Sequence, residues 1–167
     1  LKTFILIISH FMKSKNFFDN YSTHEQERNS MGIPALPLNM DQTAELCQML
    51  QNPPEGKQEF LLDLFKNRIA PGVTESAKIK ASFLDDIIKE KLSSPIISKE
   101  TAIEILGTMV GGYNVQPLID SLQINELAKN AVAALSKVTL VYDAFDQVVE
   151  LSSKVESARK VLESWAN

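Results

Sequence analysis

The chain has 167 residues, of which 44% are hydrophobic and 23% charged, with a formal net charge of −4. That length supports one domain with a substantial core rather than two, and the acidic balance gives no global attraction to nucleic acid or anionic membrane. A single cysteine, Cys47, excludes an internal disulfide framework and fits a reducing cytoplasm.

Residues 1–11 read LKTFILIISHF. The apolar run Phe4 to Ile8 is far short of the roughly 20 residues that a bilayer span needs. It matches a short signal-peptide core, yet Lys13, Ser14, Lys15 and Asn16 follow in place of a small-residue cleavage site. Residues 1–11 are therefore expected to be translated sequence upstream of a start at Met12, or a disordered tail. Residues 12–38 form an N-terminal helix and a connector. Phe17, Phe18 and Tyr21 give a narrow apolar stripe in the polar stretch Lys15 to Asn29. The two prolines and glycine of Met31 to Leu38 then require extended chain.

Residues 39–167 carry the main helical domain. Asn39 and Gln42 stand at capping-box spacing, and Met40, Ala44, Cys47 and Leu50 recur as one helical stripe. Asn52-Pro53-Pro54-Glu55-Gly56 stops that helix. The next, about Lys57 to Ile69, carries Phe60, Leu61, Leu62, Leu64, Phe65 and Ile69, a stripe wide enough for packing on two sides. After Pro71-Gly72, Thr74 or Ser76 starts a helix to about Leu92. Its dry face holds Ala77, Ala81, Leu84 and Ile88; its wet face holds Lys78, Ser82, Asp85 and Lys89, with Asp85 and Lys89 four apart.

Ser98 caps a helix to about Val110, closed by Gly111-Gly112, and Pro117 begins a short one to about Leu122. Asn125 is expected to cap a helix rich in alanine: Ala128, Ala131, Ala133 and Ala134. Two more follow, around Phe145, Val148 and Val149, then Val155, Ala158, Val161, Leu162 and Trp165. Val138 to Tyr142 has strand-like composition but no partner strand, so it is read as a helix junction. Helix pairs thus start near Asn39, Thr74, Asn114 and Tyr142, at the roughly 30- to 40-residue spacing of helical-pair repeats. The fold expected is all-α with no sheet: a HEAT-like stack of antiparallel helix pairs, a short α-solenoid. A compact irregular bundle is the alternative.

Candidate chemistry is sparse. Cys47 lies on an apolar stripe and reads as a small buried hydrophobe rather than a nucleophile. His10 and His24 lack ligating neighbours at metal spacing, and Asp85-Asp86 reads as solvated surface. Lys78, Lys80, Lys89 and Lys91 are interleaved with Asp85, Asp86 and Glu90, which indicates a mixed surface rather than a phosphate-binding stripe. The most distinctive stretch is Leu106-Gly-Thr-Met-Val-Gly-Gly-Tyr-Asn-Val-Gln-Pro-Leu-Ile-Asp120. Gly111 and Gly112 permit a tight turn expected to expose Tyr113, Asn114 and Gln116 as a possible contact loop. It lacks the glycine order and the Lys-Ser/Thr of a nucleotide loop.

This stretch, with Tyr21…His24…Glu27-Arg28…Gly32-Ile33-Pro34…Pro37-Leu38, Asn52-Pro53-Pro54, Glu59 to Leu64, Asn67-Arg68…Pro71-Gly72-Val73, Lys80-Ala81…Phe83-Leu84, Ala102 to Met109 and Ser164-Trp165-Ala166, resembles the N-terminal HEAT-like domain of bacterial aconitate hydratase B. The resemblance runs from Met12 to the end. It implies a parent enzyme of the tricarboxylic acid cycle, a lyase that interconverts citrate and isocitrate through cis-aconitate on a [4Fe–4S] cluster, some members also handling 2-methylisocitrate. The cluster ligands and catalytic residues of the family lie in later domains, so no catalytic residue, metal ligand or cofactor is assigned to this chain. The role implied is a non-catalytic assembly and protein-interaction domain in a cytoplasmic protein without a membrane partner. Its expected partners are the remaining domains of the parent, a second copy in a homo-oligomer or dimer, and other proteins. Trp165 is a possible interface anchor. An RNA-binding regulatory module is the alternative, set back by the acidic balance and the lack of an aromatic-basic groove. A free-standing enzyme ranks third.

Overall fold

A computed structural model describes the backbone of residues 2–142 and 144–167, and the side chains of 16–142 and 144–167. The expectations for residues 1–11 and for the side chain of His10 lie outside the described side chains. Helix α1 is Lys2–Ser30, and the chain from Met31 to Asn39 is the extended connector its prolines require. The side chains of His24, Arg28 and Arg68 hold that connector. His24 Nε2 accepts from the Leu36 amide at 3.0 Å, Arg28 Nε donates to the Pro34 carbonyl at 3.0 Å, and the Arg68 guanidinium donates to the Ala35 carbonyl.

Asn39 forms the full capping box, its side chain accepting from the Gln42 amide while the Gln42 side chain accepts from the Asn39 amide. Helix α2 (Met40–Gln51) follows, then α3 (Gln58–Asn67), α4 (Glu75–Ile88, capped by Thr74) and α5 (Lys99–Gly107, capped by Ser98). Helices α6 (Val115–Ser121), α7 (Ala128–Leu135), α8 (Ala144–Ser152) and α9 (Glu156–Trp165) complete the chain.

The packing is that of a solenoid. Helices α2, α4, α6 and α8 contact one another in succession, α5, α7 and α9 form a second row, and each pair also packs internally. One continuous core runs between the rows, built on Leu46, Leu50, Leu64, Phe65, Leu84, Ile103, Leu106, Leu118, Leu135, Val148 and Val161. Neighbouring pairs are also joined by serine hydroxyls. Ser76 Oγ donates to the Leu38 carbonyl at 3.1 Å, Ser94 to Leu50 at 2.6 Å, and Ser157 to Leu122 at 2.6 Å.

The all-α, paired architecture agrees with the sequence reading, and several details differ. Met40 is exposed; the dry face of α2 is turned to Thr43, Leu46, Met49 and Leu50 beside Cys47. Thr43 fits there because its hydroxyl donates to the Asn39 carbonyl at 2.7 Å. Phe60 is not core but packs against α1, its ring tilted on Phe18 at 5.8 Å and edge-on to Tyr21 at 5.9 Å. The alanine-rich helix begins after Leu127 rather than Asn125, because the amides of Leu127 and Ala128 both turn back to the Ile124 carbonyl. Among the described residues no strand forms, yet Leu140 makes an isolated parallel bridge to Gly111.

Gly107 ends α5 where that helix crosses α7. A Cβ there would lie 2.8 Å from Ala134 Cβ and 3.1 Å from its Cα. Gly→Ala within a helix normally stabilises by about 1 kcal/mol, but here overpacking against backbone dominates. Gly107→Ala is expected to destabilise the domain by about 1–3 kcal/mol in urea unfolding, and a stabilised variant would contradict this packing.

Candidate functional site

The turn that links the second and third helix pairs holds most of the distinctive residues. Gly111 (φ 147°) and Gly112 (φ 87°) take left-handed backbone, and a Cβ on Gly111 would meet the Leu140 carbonyl oxygen at 2.6 Å. Asn114, expected to be exposed, is completely buried. Its Nδ2 donates to the carbonyls of Leu106 at 2.9 Å and Met109 at 3.0 Å, closing the C-terminal end of α5. Tyr113 keeps one partly exposed face, with Lys78 Nζ 5.9 Å from its ring centre. Gln116 is exposed and donates to Asp120 Oδ1 at 2.8 Å. The turn thus presents Tyr113 and Gln116 outward and uses Asn114 inward.

The other end of the solenoid carries a broader apolar surface. Trp165 is half-buried, its Nε1 donating to the Leu135 carbonyl at 3.3 Å and its ring stacked 5.9 Å from Phe145. Helix α9 turns Ala158 and Val161 fully inward and its charged Arg159, Lys160 and Glu163 outward. Helix α8 does the reverse: only Val148 is buried, while Phe145 and Val149 are exposed. Just before it, Leu140 is exposed and Tyr142 is 78% exposed, in left-handed backbone (φ 39°). The unpartnered apolar face therefore lies on α8 and its approach, beside Trp165 rather than centred on it. Helical periodicity places these residues on a helix but cannot say which side lacks a neighbour.

The lysines divide into two kinds. Lys78, Lys89 and Lys91 are surface residues paired with Glu75, with Asp85 and Asp120, and with Asp86, respectively, Lys89 reaching Asp85 at 2.8 Å. Lys80 departs from the expected mixed surface. It is only 3% exposed, on the dry face of α4 between Ala77, Ala81 and Leu84. Its Nζ lies over the Phe65 ring, 5.4 Å from the ring centre, and donates to the Lys66 carbonyl at 3.2 Å. The signal was present in the sequence, since Lys80 stands at i+3 from Ala77 on the apolar stripe. Burial lowers its pKa to about 8, and burial likewise pushes the neighbouring Cys47 thiol up to about 12, so Cys47 is a protonated core thiol.

No group of three or more His, Cys, Asp and Glu side chains among the described residues is arranged to hold a metal ion. No helix among them is long and apolar enough to cross a membrane. The stacked pairs and the buried turn between them define a short helical-repeat domain. It belongs to the aconitate hydratase B family, as its N-terminal domain: the family described as "Aconitate B N-terminal domain" matches residues 20–167. The chain is 47% identical over 148 residues to aconitate hydratase B of Synechocystis, covering 87% of this chain and 17% of the relative. It is 48% identical over 148 residues to that of Pseudomonas aeruginosa, covering 88% and 17%, and 47% identical over 150 residues to that of Escherichia coli, covering 89% and 17%. The chain thus spans about one sixth of the length of these relatives.

Asn114→Ala is expected to destabilise the domain by about 1–3 kcal/mol in denaturant unfolding, because the Met109 carbonyl loses its side-chain donor and the Leu106 carbonyl keeps only backbone ones. A loss below about 0.5 kcal/mol, the size of a neutral surface change, would mean that water replaces the amide. Lys80 gives a signed pH dependence. Native Lys80 gives up its proton near 8 whereas the unfolded chain holds it to about 10.5, so between those values the unfolded state binds more protons. The stability of the native protein relative to Lys80→Met should therefore rise from pH 8 to 10.5. A flat or falling difference in paired melts would show Lys80 to be solvated.

Proposed function

We propose that this chain is the non-catalytic N-terminal assembly and protein-interaction domain of an aconitate hydratase B, in a cytoplasmic enzyme that interconverts citrate and isocitrate. The observation that carries the reading is the exposed apolar face of α8 and its approach, formed by Leu140, Tyr142, Phe145 and Val149 at one end of the solenoid. A repeat stack needs a polar outer face on its terminal unit or a partner over it, and contiguous apolar surface rimmed by charge marks contact sites. The occupant proposed is the remaining polypeptide of the parent enzyme, since the matched family is an N-terminal domain and the chain spans 17% of its relatives. Homo-oligomer formation in the parent is the second use open to the same surface.

Residues for the family's iron–sulfur cluster do not fit here. Such a cluster takes several thiolates, whereas Cys47 stands alone, buried, with its thiol pushed up to about 12. Cluster chemistry therefore belongs to other parts of the parent. The paired lysines also count against the RNA-binding alternative. Lys78, Lys89 and Lys91 each already face a carboxylate, leaving little uncompensated charge for phosphates.

The test uses the full-length parent carrying Phe145→Glu and Val149→Glu. Val149 is exposed and Phe145 is exposed apart from its stacking on Trp165, so melting of the domain itself should fall only slightly, while its docking to the rest of the enzyme weakens at least tenfold by roughly the loss expected of a buried anchor. Limited proteolysis should then release the domain readily. Unchanged protease resistance and unchanged mass in sedimentation would overturn the reading. Trp165→Ala is the less clean probe, because its indole hydrogen bond to Leu135 makes it part of the fold as well.

A further inference from the structure

Between α3, α4 and α5 lies a cleft of about 480 Å3, with Lys80 at its base, Lys66 and Glu104 at its rim, and Ile69, Ile105 and Met109 in its walls. We propose that this cleft binds a small monocarboxylate with a short apolar chain, Lys80 Nζ holding the carboxylate and the walls of Ile69, Ile105 and Met109 receiving the chain. The inference is independent of the α8 surface.

An ammonium has three donors, and Lys80 uses one, on the Lys66 carbonyl at 3.2 Å. The Phe65 ring lies 5.4 Å from Nζ and covers another side. None of the ion pairs among the described residues reaches Lys80. The ionisable groups that face it are Cys47 from α2, Lys66 from α3 and Glu104 from α5. The Cys47 thiol is protonated at neutral pH and supplies no counter-charge. A buried cation with spare donors and no anionic partner is costly, and here it lines a cleft large enough for a small ligand. An anion there supplies the missing counter-charge.

The remaining chemistry narrows the class. Glu104 at the rim is exposed and repels a second or third carboxylate, which disfavours polyanions. Thr108, also in the lining, donates its hydroxyl to the Ile105 carbonyl at 2.7 Å, and Asn67 spends one of its two amide donors on Asp63 at 2.7 Å, so a polyhydroxylated ligand finds few partners. What remains is one cationic contact beside an apolar wall.

Butyrate is the probe, with butanol as the uncharged control, titrated into the full chain by heteronuclear NMR. Butyrate should give saturable shifts centred on residues 66–69, 80 and 104–109, and butanol should bind at least tenfold more weakly. Binding requires protonated Lys80, so affinity should fall roughly tenfold or more from pH 7 to 9.5. Lys80→Met should abolish the site, and Glu104→Gln should tighten it and extend it to succinate; this second variant decides the matter if Lys80→Met does not fold. Shifts that do not saturate, that are equal for butanol, or that persist undiminished at pH 9.5 would overturn the proposal.

Discussion

The buried amide of Asn114 governs how the middle of the molecule is joined. A helix that ends inside a protein leaves carbonyls without donors, and α5 ends under the third helix pair. Asn114 satisfies Leu106 and Met109 from a position seven residues past the end of that helix, so the chain must double back at once. The reversal requires the left-handed glycines before it, and the absence of a side chain at Gly111 lets Leu140 approach backbone to backbone. One asparagine thereby ties the second pair to the third and, through the glycine beside it, to the entry of the fourth. Close contact of Gly107 with Ala134 sets the remaining spacing between α5 and α7.

Much of this was legible in the sequence because the determinants are local. Proline and glycine breaks, the Asn39–Gln42 box and the Ser98 cap act within four residues, and of the two residues open for the start of α4 it is Thr74 that caps it. What escaped depends on neighbours far along the chain. The rotation of α2 that exposes Met40 is decided by α4, which packs on it; the bridge of Leu140 is decided by a glycine 29 positions earlier. Lys80 was misread because lysine on a helix is ordinarily wet. Its stripe position outweighed its charge only because Phe65 and the Lys66 carbonyl were there to receive it. Asn114 was misread for the converse reason: asparagine after two glycines suits an exposed turn, and only the crossing of helices turns it inward.

The polar chemistry of the domain is divided by depth. At the surface, lysines and carboxylates lie within reach of one another, and Lys99 for example meets Glu90 at 2.6 Å and Glu126 at 3.3 Å. Such pairs contribute little stability each, but they leave the flanks of the solenoid electrically quiet. Attraction for a partner must then come from shape and apolar area at α8, or from the buried cation of Lys80, which has no carboxylate against it. The two features are far apart in character: the α8 face suits a folded surface, whereas Lys80 is reached only through a cleft.

The serine hydroxyls that join successive pairs bear on how the chain is made. Their bonds span 38, 44 and 35 residues, and the main helix contacts likewise join each pair to the one before it. Ser76 finds the Leu38 carbonyl, Ser94 the Leu50 carbonyl and Ser157 the Leu122 carbonyl, each acceptor lying upstream of its donor. During synthesis from the N-terminus, every hydroxyl therefore emerges from the ribosome after the carbonyl it will bind. Each new pair meets a platform already laid down, and low sequence separation keeps the entropy of closure small. The domain can assemble vectorially, one pair at a time, while the rest of a longer polypeptide is still being translated.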